Sequence, residues 1–312
     1  MAKGILNRES LLSGVHVLDG GLASELEYLG ADIRGPLWSA RVLEDAPEKI
    51  VAVHRAYIDA GADIIETASY QVSRMGYAEV GLDPARADGA LRNSVALARE
   101  AAALYPDRRI LVAASLGPYG AALHNGAEYH GNYSCTFADL IEFHRQRIDV
   151  LASAPPGLTP DLLAFETIPS LAEAEAVGQA LGSHPELTAW FSFTCRDEQH
   201  VAHGERLRQC AAAVASFPQT VAVGINCTQP SLVRSLIAEL REGSDRTILV
   251  YPNSGEGWDA GHRRWTGTSD TRSYGEEARE WFEAGAQIIG GCCRTRPAHI
   301  REVRAAVQLS AN

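Results

Sequence analysis

The sequence contains no run approaching the ~18 consecutive apolar residues of a membrane-spanning helix, which argues against a chain threaded through a bilayer. Residues 1–9 also lack the apolar block of a secretory signal, so a cytoplasmic, reducing location is expected. Positive charge is in short supply. With 28 Lys and Arg against 39 Asp and Glu the net charge is −11, a surface unsuited to nucleic acid or to an anionic membrane. A small-molecule partner is the expectation that remains. No linker or break in composition divides the 312 residues, so one domain over 1–312, acting as a monomer, is expected.

What is present is a repeated alternation. Short aliphatic or β-branched runs at 15–18, 63–66, 110–115, 162–166, 188–195, 221–227, 247–251 and 287–291 read as eight strands. Ala-, Leu-, Arg- and Glu-rich segments at 47–60, 84–104, 137–151, 171–181, 205–216, 230–242 and 274–284 read as the helices between them. Residues 58–66 and 282–290 echo each other: both read as a helix ending at a glycine (Gly61, Gly285) that tolerates a left-handed conformation, followed at once by a buried strand. Eight such units predict an α/β fold, a closed (β/α)8 TIM barrel, with an open doubly wound sheet as runner-up. Residues 117–134, rich in glycine and tyrosine, read as a loop over the barrel mouth.

In a (β/α)8 barrel the loops following the strands share one face, and active sites sit there. The chemically distinctive residues fall at those ends: Asp19 with Gly20-Gly21, Glu66-Thr67, Ser115, Glu166-Thr167, Asn226-Cys227, Asn253 and Cys292-Cys293. Clustered cysteines in a reducing setting suggest soft-metal ligands over a disulfide framework. A catalytic zinc site uses three protein ligands and keeps a fourth position open, and Cys227, Cys292 and Cys293 supply three sulfurs from the sixth and eighth strands. Adjacent strand residues face opposite ways, so Cys292 and Cys293 reach one ion only if the chain turns there, and Gly290-Gly291 makes that departure cheap. A core role for Cys227 and a strained vicinal disulfide stay open at this point. Cys135, Cys195 and Cys210 read as packing residues.

The segments Leu18-Asp19-Gly20-Gly21, Glu66-Thr67-Ala68-Ser69-Tyr70-Gln71, Ser115-Leu116-Gly117-Pro118-Tyr119-Gly120, Phe165-Glu166-Thr167, Gly224-Ile225-Asn226-Cys227 and Gly290-Gly291-Cys292-Cys293-Arg294 resemble, in order and over nearly the whole chain, the zinc-dependent homocysteine S-methyltransferase family. Within it, residues 66–71 and 126–133 resemble the members that use S-methylmethionine. The resemblance implies zinc held by Cys227, Cys292 and Cys293, and homocysteine's amino group held near Asp19 and Glu166. It implies further that Gly20, Glu66, Thr67, Ser115 and Asn226 face the substrate. An end at Asn312 leaves no room for cobalamin or folate modules, so a small donor acting directly is expected.

The implied chemistry is transfer of a methyl group from a sulfonium to a homocysteine thiolate, giving methionine; zinc removes the thiol proton. A sulfonium is attracted to aromatic faces, which makes Tyr119, Tyr129, Tyr133 and Trp258 candidate donor contacts. Asp19 and Glu166 suit a substrate ammonium, the plainer alternative being pairing with Arg34, Arg294 or Arg296. Arg294 itself suits either a substrate carboxylate or a surface ion pair. Of His124, His130, His200 and His203 only the last two have a close spacing, three apart in a polar loop, and these histidines read as solvated. S-adenosylmethionine as donor, selenocysteine or another thiol as acceptor, a zinc-dependent barrel hydrolase and a non-catalytic zinc or thiol binder are the alternatives. Three thiolates disfavour the hydrolase because they lower the metal's Lewis acidity.

Overall fold

The computed structural model describes residues 12–33, 39–259, 264–266 and 269–310. Its strands are β1 (His16–Val17), β2 (Ile64–Glu66), β3 (Leu111–Leu116), β4 (Leu162–Ile168), β5 (Ala189–Phe193), β6 (Thr220–Asn226), β7 (Thr247–Tyr251), β8 (Gly257–Asp259), β9 (Arg264–Thr266) and β10 (Ile288–Ile289). Eight of them form one parallel sheet in the order β1-β10-β7-β6-β5-β4-β3-β2. The two outer members meet through the Leu18–Ile64 bridge, where Asp63 N–H donates to Val17 O (2.7 Å) and Asp19 N–H to Ile64 O (3.0 Å). The sheet therefore curls into the (β/α)8 barrel that the alternation predicts.

Burial on both faces explains why these strands read as continuous apolar runs. Along β3, Leu111 and Ala113 point into an inner cluster with Leu162, Ala164, Trp190 and Leu249, while Val112, Ala114 and Leu116 join the outer core under the helices. Helices Pro47–Asp59, Ala85–Ala103, Phe137–Ala152, Leu171–Leu181, Leu207–Ala215, Val233–Gly243, Thr271–Ala284 and Pro297–Ser310 form the outer layer. Gly61 (φ 109°) and Gly285 (φ 110°) both adopt the left-handed conformation that the sequence echo predicts.

Departures from the sequence reading lie at ends and in loops. The strands expected at 15–18 and 287–291 pair over only two residues each, because the chain leaves the sheet to build the mouth. The helix expected from 274 begins at Thr271, capped by Asp270. The short helices Leu22–Tyr28, Ser39–Asp45, Arg74–Glu79 and Tyr119–Ala122, and the β8–β9 hairpin, carry too few periodic residues to be predicted. No helix among the described residues is long and apolar enough to cross a membrane.

Candidate active site

Cys227 directly follows β6, and Cys292-Cys293 follow β10, so the strand ends bring together sulfurs that are 65 and 66 residues apart. Cys227 Sγ lies 2.6 Å from Cys292 Sγ and 3.6 Å from Cys293 Sγ, and the three sulfurs fall within 4.8 Å of one another. All six cysteines are free thiols, so no vicinal disulfide forms at 292–293. The turn that aims both cysteines inward is not made by left-handed glycines. Cys227 (φ 48°) and Arg294 (φ 65°) adopt that conformation, whereas Gly290 and Gly291 serve close approach. A Cβ on Gly290 would meet Leu18 Cβ at 2.6 Å, and one on Gly291 would collide with the Thr295 side chain.

The backbone of the cysteine corner is tied from several sides. Cys292 N–H donates to Pro252 O (2.7 Å), Ser254 N–H donates to Cys293 O (3.1 Å), and Thr295 Oγ1 donates to Cys292 O (2.7 Å). Burial and crowding favour the neutral thiols: Cys292 is pushed well above the ordinary range, first by its hydrogen bond with Cys227 and then by burial and nearby negative charge. Three half-buried soft donors suit a divalent or soft cation, which would favour the thiolates instead. The 3.6 Å separation is near the ~3.8 Å edge of a sulfur tetrahedron drawn around an ion at about 2.3 Å, and the 2.6 Å pair would open by about 1 Å to match it.

Beside the sulfurs stand the buried acids Asp19 and Glu166 and the half-buried Glu66. Asp19 Oδ2 accepts from Glu66 N–H (2.9 Å), while Asp19 Oδ1 and Glu66 Oε1 are buried without a partner. Glu166 Oε1 accepts from Ser115 Oγ. Burial raises all three carboxyls, with Glu166 at about 7, and their mutual repulsion adds to the rise at Asp19 and Glu66. No ion pair among the described residues neutralises them. Arg294 pairs with Glu256 (2.7 Å) and Glu27 (3.3 Å), and Arg296 pairs with Glu25 (2.8 Å), so these arginines are engaged elsewhere; Arg34 lies outside the described residues. The group is left short of positive charge, which a ligand ammonium would supply.

The remaining residues singled out in the sequence divide into two sets. Thr67 Oγ1 lies 2.6 Å from Ser69 Oγ and accepts from Ser115 N–H, which knits β2 to β3. Gly20 faces Tyr57, where a Cβ would meet the ring at 2.8 Å. Asn226 is fully buried and contacts both Thr167 and Cys292 Sγ, the latter at 3.9 Å. Tyr129 is half exposed at the rim, yet its hydroxyl is pushed well above the ordinary phenol range, chiefly by Cys227. The Tyr119 ring packs on Tyr133 (5.4 Å between centroids) and Phe143 (5.2 Å). The side chain of Trp258 lies outside the described residues. His200 and His203 pair with Asp197 (2.9 Å) and Glu205 (3.0 Å). Residues not singled out as site candidates also belong to the mouth: Tyr251 hydrogen-bonds Ser192 (2.5 Å) and Glu166, and Tyr70 hydrogen-bonds Thr167. Their only sequence signal is position, since Tyr251 ends β7 and Tyr70 lies in the loop after β2.

Residues 16–307 match the family described as homocysteine S-methyltransferase. Homocysteine S-methyltransferase YbgG of Bacillus subtilis is 44% identical over 297 residues, covering 93% of each chain. Selenocysteine Se-methyltransferase of Brassica oleracea is 42% identical, covering 93% of this chain and 88% of its own. The homocysteine methyltransferase MmuM of Escherichia coli superposes in its metallated form with a TM-score of 0.83 at 39% identity, covering 96% of this chain and 99% of that one.

Proposed function

The chain belongs to the homocysteine S-methyltransferase family, and on that premise we propose that Cys227, Cys292 and Cys293 hold a zinc ion and that the methyl donor is the sulfonium S-methylmethionine. The observation that carries this reading is the convergence of three sulfurs from the ends of β6 and β10 in one half-buried corner beside acids that have no cation. The chemistry such an ion supplies when bound is deprotonation of the acceptor thiol. MmuM, a relative of similar length, has been obtained in a metallated form, and an all-sulfur donor set favours zinc over hard cations.

The protein's own residues then have three tasks. Asp19 and Glu166, with Glu66 behind them, receive the homocysteine ammonium; its arrival turns mutual repulsion into attraction and favours the ionised carboxylates. Asn226 sets the direction of the Cys292 sulfur. The loop after β3, with the half-exposed Tyr129, covers the side from which the donor arrives. Nucleophile and sulfonium carry opposite charges that disperse in the transition state, so a pocket shielded from water suits their reaction. The leaving thioether is neutral and needs no proton.

The test is direct: purified protein with homocysteine and S-methylmethionine should yield methionine, and Cys227→Ala, Cys292→Ala and Cys293→Ala should each abolish it. Undiminished product from those variants overturns the metal role. S-adenosylmethionine in place of S-methylmethionine should give slower turnover, and faster turnover would overturn the donor assignment.

A further inference from the structure

Outside the sulfur corner, an extended buried polar group among the described residues is centred on Glu173. This residue lies in the first turn of helix Leu171–Leu181, where its backbone N–H donates to Ser170 Oγ (3.2 Å), and its carboxylate is fully buried. Three segments donate to it: Tyr119 through its backbone N–H (2.5 Å), Tyr133 through its hydroxyl (2.8 Å) and His144 through Nε2 (3.0 Å). His144 Nδ1 accepts from the Arg147 guanidinium (2.8 Å), so the ring proton belongs on Nε2, facing the carboxylate. Burial lowers the His144 pKa to about 4, consistent with a neutral ring. Arg147 also donates to Gly117 O (2.9 Å), and its guanidinium lies 4.1 Å from the centre of the Phe143 ring.

A carboxylate and a guanidinium withdrawn from water are costly, and apolar residues would pack a helix interface as well. What distinguishes this group is where its bonds lead. Gly117 and Tyr119 are at the start of the loop after β3, and Tyr133 is near its end, so both ends of one loop are fastened to a single carboxylate, directly or through His144 and Arg147. Between the fastenings the turn Ala127–Tyr129 packs against β4, the strand that carries Glu166. The first fastening continues to the mouth by a second route: Gly117 N–H donates to Tyr70 O (3.0 Å), and a Cβ on Gly117 would lie 2.7 Å from the Tyr70 ring, which leaves room only for glycine. On the acceptor side Asp19 and Glu166 take their hydrogen bonds from Glu66 N–H and Ser115 Oγ, not from Glu173, His144 or Arg147.

We propose that Glu173 is a positioning residue for the donor: it straps the loop 117–133 over the mouth, so that donor capture depends on it while homocysteine capture does not. This rests on the methyl-transfer reading above. Glu173→Ala removes all three acceptor bonds. Glu173→Gln keeps an oxygen for Tyr119 N–H and His144 and offers an amide N–H to the Tyr133 oxygen. The expected result for Glu173→Ala is an S-methylmethionine KM raised about tenfold or more, with the homocysteine KM within about twofold and the amides of 120–132 exchanging at least about tenfold faster. Glu173→Gln should restore most of the donor KM. Should Glu173→Ala fail to fold, Tyr133→Phe, which releases only the far end of the strap, should move the donor KM and loop exchange in the same direction by a smaller factor. Equal rises in both KM values, or loop amides unchanged in every soluble variant, would overturn the proposal. A wild-type protein that makes no methionine would sink the methyl-transfer reading instead, and the exchange rates would still decide whether the strap exists.

Discussion

Asn226 and Thr167 hold each other at two points: Thr167 N–H donates to Asn226 Oδ1 (2.7 Å), and Asn226 Nδ2 donates back to Thr167 Oγ1 (2.8 Å). Thr167 follows the acid Glu166 in β4, and Asn226 ends β6 just before the sulfur ligand candidate Cys227, so the pair locks the acid's strand to the sulfur's strand across β5. From β5 itself Ser192 Oγ donates to the same Asn226 oxygen (2.9 Å). Thr167 (φ 59°) and Cys227 (φ 48°) both sit in the left-handed region that disfavours a side chain. Such conformations persist where surrounding bonds over-determine them, and the amide of Asn226 supplies much of that determination.

Asn226→Ala should therefore damage two properties at once. Removing the amide orphans several buried groups, for a loss of roughly 2–4 kcal/mol in unfolding free energy by urea titration. It also frees the Cys292 side chain, and metal affinity measured by chelator competition should fall about 10- to 100-fold. A variant that loses stability but keeps full metal affinity would show that Asn226 does not orient the sulfur.

Metal removal should silence the enzyme reversibly. Dialysis against a strong chelator is expected to abolish methionine formation and to lower the thermal midpoint, because an ion that binds only the folded state stabilises it by mass action. Stoichiometric zinc should restore both. Each single cysteine-to-alanine variant should reduce bound metal below one equivalent and resist rescue.

Much of this site was legible in the sequence because a barrel converts strand ends into neighbours. Once residues 221–227 and 287–291 read as strands of one barrel, Cys227 and Cys292-Cys293 had to share a face, and so did Asp19, Glu66 and Glu166. The mechanism of the turn was less legible. Gly290-Gly291 makes a turn cheap, but tight packing against Leu18 and Thr295 is what requires those glycines, and Cys227 and Arg294 absorb the left-handed backbone. Tyr119 likewise belongs to an aromatic stack with Tyr133 and Phe143 that no local pattern reveals. The Glu173 cluster joins residues from four separate stretches, and only tertiary structure puts a glutamate in a helix's first turn at the service of a loop about 50 residues earlier.

The acid group predicts opposite effects of pH on stability and on binding. Burial raises Glu166 from 4.5 to about 7, so between those values the folded protein holds a proton that the unfolded chain has released. Without substrate, stability should fall as pH rises through that window, by an amount on the order of a few kcal/mol. Glu166→Gln should flatten the slope and make the substrate-free protein more stable than wild type at pH 8, with no gain near pH 4. The same substitution should weaken homocysteine binding about tenfold or more at pH 8, where the wild-type carboxylate is ionised. A variant that binds homocysteine as well as wild type at pH 8 would remove Glu166 from the substrate site.

Gly21 offers a test of how the sulfur corner is shaped by contact with the first loop. A Cβ there would stand 2.5 Å from the carbonyl oxygen of Cys292 and 3.0 Å from Ser24 Oγ. That carbonyl already accepts from Thr295 N–H (3.1 Å) and Oγ1 (2.7 Å), so it cannot move without pulling the cysteine with it. Gly21→Ala should cost about 1–3 kcal/mol through overpacking and weaken metal binding with it. Gly89 makes the control, since it lies within helix Ala85–Ala103 with nothing inside 4 Å of a new Cβ. Gly89→Ala should stabilise the protein by about 0.5–1 kcal/mol through backbone entropy and leave metal affinity unchanged. If both substitutions shift stability but neither shifts metal affinity, the contact between Gly21 and Cys292 serves the fold and not the sulfurs.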